Sequence, residues 1–309
     1  MIPLRLRSFL NRATVATVAV LSFHRRTAAV CAFSTVDVNN MFHATSDDGE
    51  KLIFYHVQEA ESTQDLAKTL IERGGAEDDH LWVVTTDNQT HGRGTTGRTW
   101  ISRKGNVFLT IAVPMTSIPV PITLLPLQMG VLVAERLDKI YHQLKPDDEE
   151  DGSERLQPTV KWPNDVLFND EKIAGILIES HVVENVTWLL VGIGVNLLQT
   201  PQVPTEGPDK GRPATCLQHY VSHDVLLPES LAEVFSHDLA VAFEQWLDDS
   251  DVSAEQVRSE WKRWANWAKP LQIRETGEAV FPMDIEADGR LRVKEMSGKE
   301  RLLVADYLY

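Results

Sequence analysis

Cysteine is scarce in this chain: Cys31 and Cys216 are the only two in 309 residues. By themselves two thiols supply neither a disulfide framework nor a zinc cluster. Only Cys216 lies in the acidic body of the sequence, which fits a reducing compartment. Long apolar runs are missing too. The longest, Ala13 to Phe23, is broken by Thr14, Thr17 and Ser22, and it falls short of the about 20 residues a membrane-spanning helix takes. Positive charge is in deficit, with 30 basic against 45 acidic residues and a net charge of −15. Residues 1–36 hold five arginines and no acid, so the remainder has 25 basic against 45 acidic residues, or −20. Such a body repels a nucleic-acid backbone and an anionic membrane, and neither partner is expected. What remains is an ordinary globular composition, 43% apolar and 24% charged, long enough for one large or two modest domains with ample core.

The first segment reads as an address. Residues 1–36 are rich in Arg, Ala, Ser and Thr, and the first acid is Asp37. That pattern predicts an organelle presequence, mitochondrial in preference to plastid. Arg25-Arg26 directly after the apolar run argues against a secretory signal. Met41 offers a second start for a shorter cytoplasmic form. We therefore expect a presequence over residues 1–40, a main domain over 50–268 and a small module over 269–309.

Within the main domain, Ile53 to Val57 reads as a strand. Ser62-Thr63-Gln64-Asp65 opens a helix at capping-box spacing, stopped by Gly74-Gly75. Strands are predicted over Leu81 to Thr86, Asn106 to Val113, Thr159 to Trp162, Val166 to Phe168, Ile173 to Glu179 and Trp188 to Leu197. Helices are predicted over Leu124 to Leu144, Leu231 to Leu247 and Ala254 to Trp267. Thr200 to Pro213, with four prolines and two glycines, is a long loop. From Pro270 the pattern turns to short alternating runs with an Asp288-Gly289 hairpin signal, a small all-β module.

Chemistry gathers in two places. Gly92-Arg93-Gly94-Thr95-Thr96-Gly97-Arg98-Thr99 satisfies the dinucleotide pattern G-x-G-x-x-G and nearly satisfies the P-loop, with Arg98 where lysine belongs. Both motifs need a helix immediately afterwards to hold the phosphates. Here a strand follows instead, which disfavours both. A flexible loop with two arginines remains, suited to gripping a phosphate or a carboxylate, or simply solvated. The second place is Lys161-Trp162-Pro163-Asn164-Asp165, then Lys172-Ile173-Ala174-Gly175 to Glu179, then Gly192-Ile193-Gly194-Val195-Asn196. A lysine entering an apolar strand is costly unless its head meets an anion.

Together with Glu61 to Asp65 and Gln89 to Trp100, these segments resemble the biotin–protein ligases (holocarboxylase synthetases), in that family's order and over roughly residues 55–309. The resemblance implies an α/β (α+β) fold, a mixed β-sheet flanked by helices as in a class II synthetase-like ligase domain, with a C-terminal SH3-like β-barrel. It implies a reaction in which biotin and ATP, with Mg2+, form biotinyl-5′-AMP, and a lysine of a biotin carboxyl-carrier domain of a carboxylase then takes the biotinyl group. The enzyme would be a monomer or a homodimer.

The same resemblance distributes roles. Ser62, Thr63 and Gln64 would lie against the biotin rings and Gln89 would hydrogen-bond them, with Gly94, Thr95 and Gly175 completing the biotin site. Arg93 and Lys172 would face the biotin carboxylate and the α-phosphate. Arg98, Trp100, Asn164 and Asn196 would contact the nucleotide. Asp165 is a catalytic candidate for orienting or deprotonating the acceptor amine, although Asn164-Asp165 equally fits a capped turn after Pro163. Thr95 stands where many bacterial relatives have arginine, which predicts weaker retention of the adenylate. The stretch before Ile53 is too short for the winged helix-turn-helix domain of bifunctional relatives, so no operator binding is expected. Rival readings are a lipoate ligase or octanoyltransferase of the same fold and a non-catalytic adenylate- or carrier-binding module.

Overall fold

The computed structural model describes residues 41–46, 49–74, 80–144, 156–204, 206, 211–221, 225–273 and 276–304, with side chains from residue 51 onward. The expected presequence lies outside the described residues. Eight strands form one mixed sheet: β1 (Met41–Ser46), β2 (Gly49–Ala60), β3 (Leu81–Gln89), β4 (Val107–Pro114), β5 (Pro158–Lys161), β6 (Asp165–Phe168), β7 (Glu171–Val183) and β8 (Val186–Val195), in the order β1-β2-β3-β4-β8-β7-β6-β5. Among the described strands only β2 and β3 pair in parallel. A parallel pair needs a crossover, and helix α1 (Thr63–Gly74) supplies it.

Alternation along β2 shows how both faces are covered. Ile53 and Tyr55 point to the layer of α1, where they pack with Ala67, Leu70, Ile71 and Trp188. Leu52 and Phe54 point the other way, into the core under α2 (Leu125–Leu144), α3 (Leu231–Asp248) and α4 (Ala254–Trp264). Central β4, buried on both faces from Val107 to Val113, is correspondingly an almost unbroken apolar run.

Helix α4 begins where Ser253 Oγ accepts from Gln256 N at 3.2 Å. It stops at Trp264, three residues before the predicted end, because Ala265 turns to an extended backbone and bridges to Val160. Strands β9 (Leu271–Gln272), β10 (Ala279–Ile285), β11 (Leu291–Glu295) and β12 (Glu300–Leu303) form a four-stranded antiparallel sheet that fits the expected C-terminal β-module. Strand β12 ends at Leu303, and residues 305–309 lie outside the described residues. Gly289, at φ +81° in the predicted hairpin turn, accepts from Trp162 Nε1 at 2.9 Å. Val280, Ile285, Leu291 and Val293 join the core of the main sheet, so the module is packed on it.

Candidate active site

The start of α1 is fastened from below. Ser62 Oγ accepts from Gln64 N at 3.2 Å, capping the helix as its position predicts. The capping box is not completed, because Asp65 turns away to Arg93. Gln89 Oε1, at the end of β3, accepts from Thr63 N at 3.0 Å and from Thr63 Oγ1 at 3.3 Å. Gln64 Nε2 donates to Leu177 O and Leu190 O, pinning α1 onto β7 and β8.

After β3 the glycine-rich loop folds back on itself, with Gly94 N donating to Arg98 O at 2.7 Å and Trp100 N to Gly92 O at 2.9 Å. A single 3-10 turn, Thr95–Gly97, occupies its tip. Thr96 lies there at φ +57°, a left-handed backbone uncommon for a β-branched residue. No helix follows before β4, so the dinucleotide and P-loop readings fail on geometry. Arg93 is gripped by two carboxylates: Nη1 and Nη2 donate to Asp65 at 2.5 and 3.0 Å, and Nε and Nη2 donate to Glu179 at 3.1 and 3.2 Å. Lys68 also reaches Glu179, at 3.0 Å. The Arg93 hydrogen bond holds the Asp65 carboxyl below its ordinary range. Burial pushes Glu179 up, but hydrogen bonds from Arg93 and Lys68 outweigh it and leave the group lowered. Arg98 turns back to Thr95, donating to its Oγ1 at 2.8 Å and its O at 3.2 Å.

Across the cavity, Lys172 Nζ lies 2.6 Å from Asp165 Oδ1, and Lys161 Nζ lies 3.9 Å from Oδ2. Burial pushes the Asp165 carboxyl up, yet the two ammonium groups prevail and hold it ionised below its ordinary range. Lys172 Nζ also sits 5.4 Å above the centre of the Trp100 ring. That ring rests on backbone: a Cβ at Gly194 would fall 2.3 Å from it, and one at Gly175 would fall 3.0 Å away. Glycine is required at these places because an indole occupies the space. Asn164 Nδ2 donates to Ile176 O at 2.7 Å. Asn196, 1% exposed, accepts at Oδ1 from Asn106 Nδ2.

All of this surrounds one cavity of about 340 Å3, within the usual range for small-molecule sites. Every residue to which the resemblance assigns a role lines it except Asp165. That carboxylate stands behind Lys172 rather than on the wall, since both its oxygens face ammonium groups. Arg93 and Lys172, from distant segments, open on the same space.

The comparisons with known proteins agree with this geometry. The family model described as Biotin/lipoate A/B protein ligase family matches residues 57–196. The bifunctional ligase/repressor BirA of Bacillus subtilis is 26% identical over 264 residues, 84% of this chain and 74% of that protein. The biotin–[acetyl-CoA-carboxylase] ligase of Paracoccus denitrificans is 31% identical over 236 residues, 74% of this chain and 90% of that protein. The chain belongs to the biotin–protein ligase family. It is a ligase, an enzyme of carbon–nitrogen bond formation. Among solved structures, the biotin protein ligase of Leishmania major in complex with biotinyl-5-AMP is similar at 29% identity and a TM-score of 0.53, covering 82% of this chain and 98% of that one. Its complex with biotin gives 27%, a TM-score of 0.59, and 83% and 99%.

Three features of this ligase were not read from the sequence. Arg212, inside the proline-rich loop, lines the cavity, and Lys172 N to Pro213 O at 2.8 Å and Thr215 N to Lys172 O at 3.0 Å hold that loop's end against β7. Composition marked the loop but gave no reason to select this arginine. Asp65 and Glu179 read as helix and strand surface rather than as partners of Arg93. Asn106 takes three backbone N–H groups, of Leu197, Leu198 and Gln199, each at 3.0 Å on its Oδ1, which no short motif signals.

Proposed function

We propose that this ligase activates biotin with MgATP and passes it to a lysine of a biotin carboxyl-carrier domain. A carboxylate oxygen of biotin bonds to the α-phosphorus as the bond to the pyrophosphate oxygen breaks, giving biotinyl-5′-AMP. The neutral amine of the acceptor then bonds to the acyl carbon, AMP departs, and the amine loses one proton. The observation that carries the reading is the convergence of Arg93 and Lys172 on one cavity walled by the small residues of β7 and β8 and the start of α1.

Two anions must approach in the first step. At 4 Å in an effective dielectric of 20 their repulsion is about 4 kcal/mol, and fixed cations offset it. Arg93, Lys172, Arg98 and Arg212 line the cavity and suit that task. Among the described residues no cluster of three or more His, Cys, Asp or Glu is placed to hold a metal. Magnesium enters this proposal on the phosphate oxygens of ATP, as part of the substrate. Asp165, ionised and behind Lys172, serves by fixing that lysine.

The test is incubation with biotin, MgATP and a carrier domain. Mass gain of one biotinyl group on the carrier lysine is expected. Gain with lipoate but not biotin would move the chain to the lipoate branch, and no biotin-dependent ATP–pyrophosphate exchange would leave a non-catalytic module. The arginine-rich residues 1–36 support delivery to an organelle, mitochondrial before plastid. A tagged full chain that stays wholly cytoplasmic would contradict it.

A further inference from the structure

Lys161 is the least exposed charged side chain in the neighbourhood, at 6%, and it does not reach the cavity wall. It pairs across the β5–β6 hairpin with Asp165, whose remaining oxygen holds Lys172. A buried ammonium is costly, and where it serves only stability an apolar residue of similar size does as well or better. Lys161 instead closes a chain of three groups ending at the cavity: ammonium, carboxylate, ammonium, with a net charge of +1.

We propose that Lys161 is a positioning residue for adenylate formation: its ammonium holds the Asp165 carboxylate from one side, so that the opposite oxygen fixes Lys172 at the anion end of the cavity. The inference rests on the biotin-activation reading of that cavity. Burial pushes Lys161 down to about 8, so its charge is present below that pH and lost above it. The charged groups facing it are Asp165 from β6, Lys172 from β7, Arg98 from the glycine-rich loop and Arg212 from the loop after β8. Asp170 and Lys269, paired with each other, share the crevice on its other side. Loss of the Lys161 proton removes one positive charge from the three-group chain.

The experiment compares wild type, Lys161→Met and Lys161→Arg in biotin-dependent ATP–pyrophosphate exchange from pH 6.5 to 9.5, with melting curves for each. Wild type is expected to lose rate above pH 8. Lys161→Met should be about tenfold slower at pH 7, in kcat rather than in the KM for biotin, and flat across pH 8. Lys161→Arg, charged throughout, should keep its rate above pH 8. A methionine variant with wild-type kcat and the same fall above pH 8 overturns the inference. A crystal structure of Lys161→Met tests the inference independently of activity. Displaced Asp165 and Lys172 side chains support positioning even if the biotin-activation reading of the cavity fails. Both side chains in place with their 2.6 Å contact intact overturn it.

Discussion

Arg93 and Lys172 each come to the cavity already joined to carboxylates, and the pairing separates their tasks. Arg93 shares its charge between Asp65 and Glu179, while Lys172 shares Asp165 with a second ammonium. We predict that Lys172→Ala and Arg93→Ala each slow biotinyl-AMP formation by about 100-fold, the scale of one lost charge-stabilising donor, in pyrophosphate exchange. Wild-type rates from either variant would remove it from the mechanism. The Arg93 cluster also predicts acid sensitivity. Asp65 and Glu179 are held below their ordinary values of 3.8 and 4.5, so their contribution is complete above that range. It is lost as the pH falls through and below it, when the folded state must take up protons. The effect is modest because the groups are partly exposed. Asp65→Asn should lower the melting temperature at pH 7 and flatten its decline below pH 4. The cations and glycines were legible because their spacing is local. The partner of Asp65 was not, since capping-box spacing describes one helix and the guanidinium belongs to another element.

Strands gave their positions away through apolar content, most plainly β4 and β8. Their ends did not, because β7 and β8 continue as a hairpin, Val183 pairing with Val186, beyond the apolar stretch that marks their buried half. Helix α4 was overrun for a similar reason. Trp267 continues the apolar pattern but packs from outside the helix, its Nε1 donating to Lys262 O at 2.8 Å. At this scale the glycines of β8 carry a prediction. A methyl group at Gly194 would lie 2.3 Å from the Trp100 ring, and one at Gly192 would lie 3.0 Å from the Gln64 amide. Gly194→Ala should therefore shift the indole and raise the KM for MgATP and biotin, while far-ultraviolet circular dichroism stays unchanged. Normal KM values would show that the ring has another place to go.

Across the whole molecule, the C-terminal sheet shares the apolar core under α2, α3 and α4 with one face of the main sheet. The sequence marked the C-terminal module by its alternating pattern. Its small size already implied packing on the main domain. The contacts that fasten it, such as Trp162 Nε1 to the Gly289 carbonyl and Arg258 Nε to the Ile285 carbonyl, join distant segments and were not legible. Gly289→Ala places a Cβ 2.8 Å from Thr123 O at φ +81°. It should lower the melting temperature by the few degrees that about 1–3 kcal/mol produces, in one transition and not two. The buried charge of Lys161 has a global signature as well. An ammonium pushed down to about 8 from 10.5 opposes folding fully below pH 8, and that opposition fades as the pH rises towards 10.5. The unfolded chain binds the extra proton in this window. The stability of wild type relative to Lys161→Met should climb there by up to about 3 kcal/mol, measured by urea denaturation.

Among the described residues the indole nitrogen of Trp100 is buried with no acceptor, beneath the Lys172 ammonium. A guest that brings an oxygen to that nitrogen, or draws the ammonium off the ring, alters both the polarity and the quenching that the indole senses. Emission from this one tryptophan would then track occupancy without any label, and Trp100→Phe would switch the signal off.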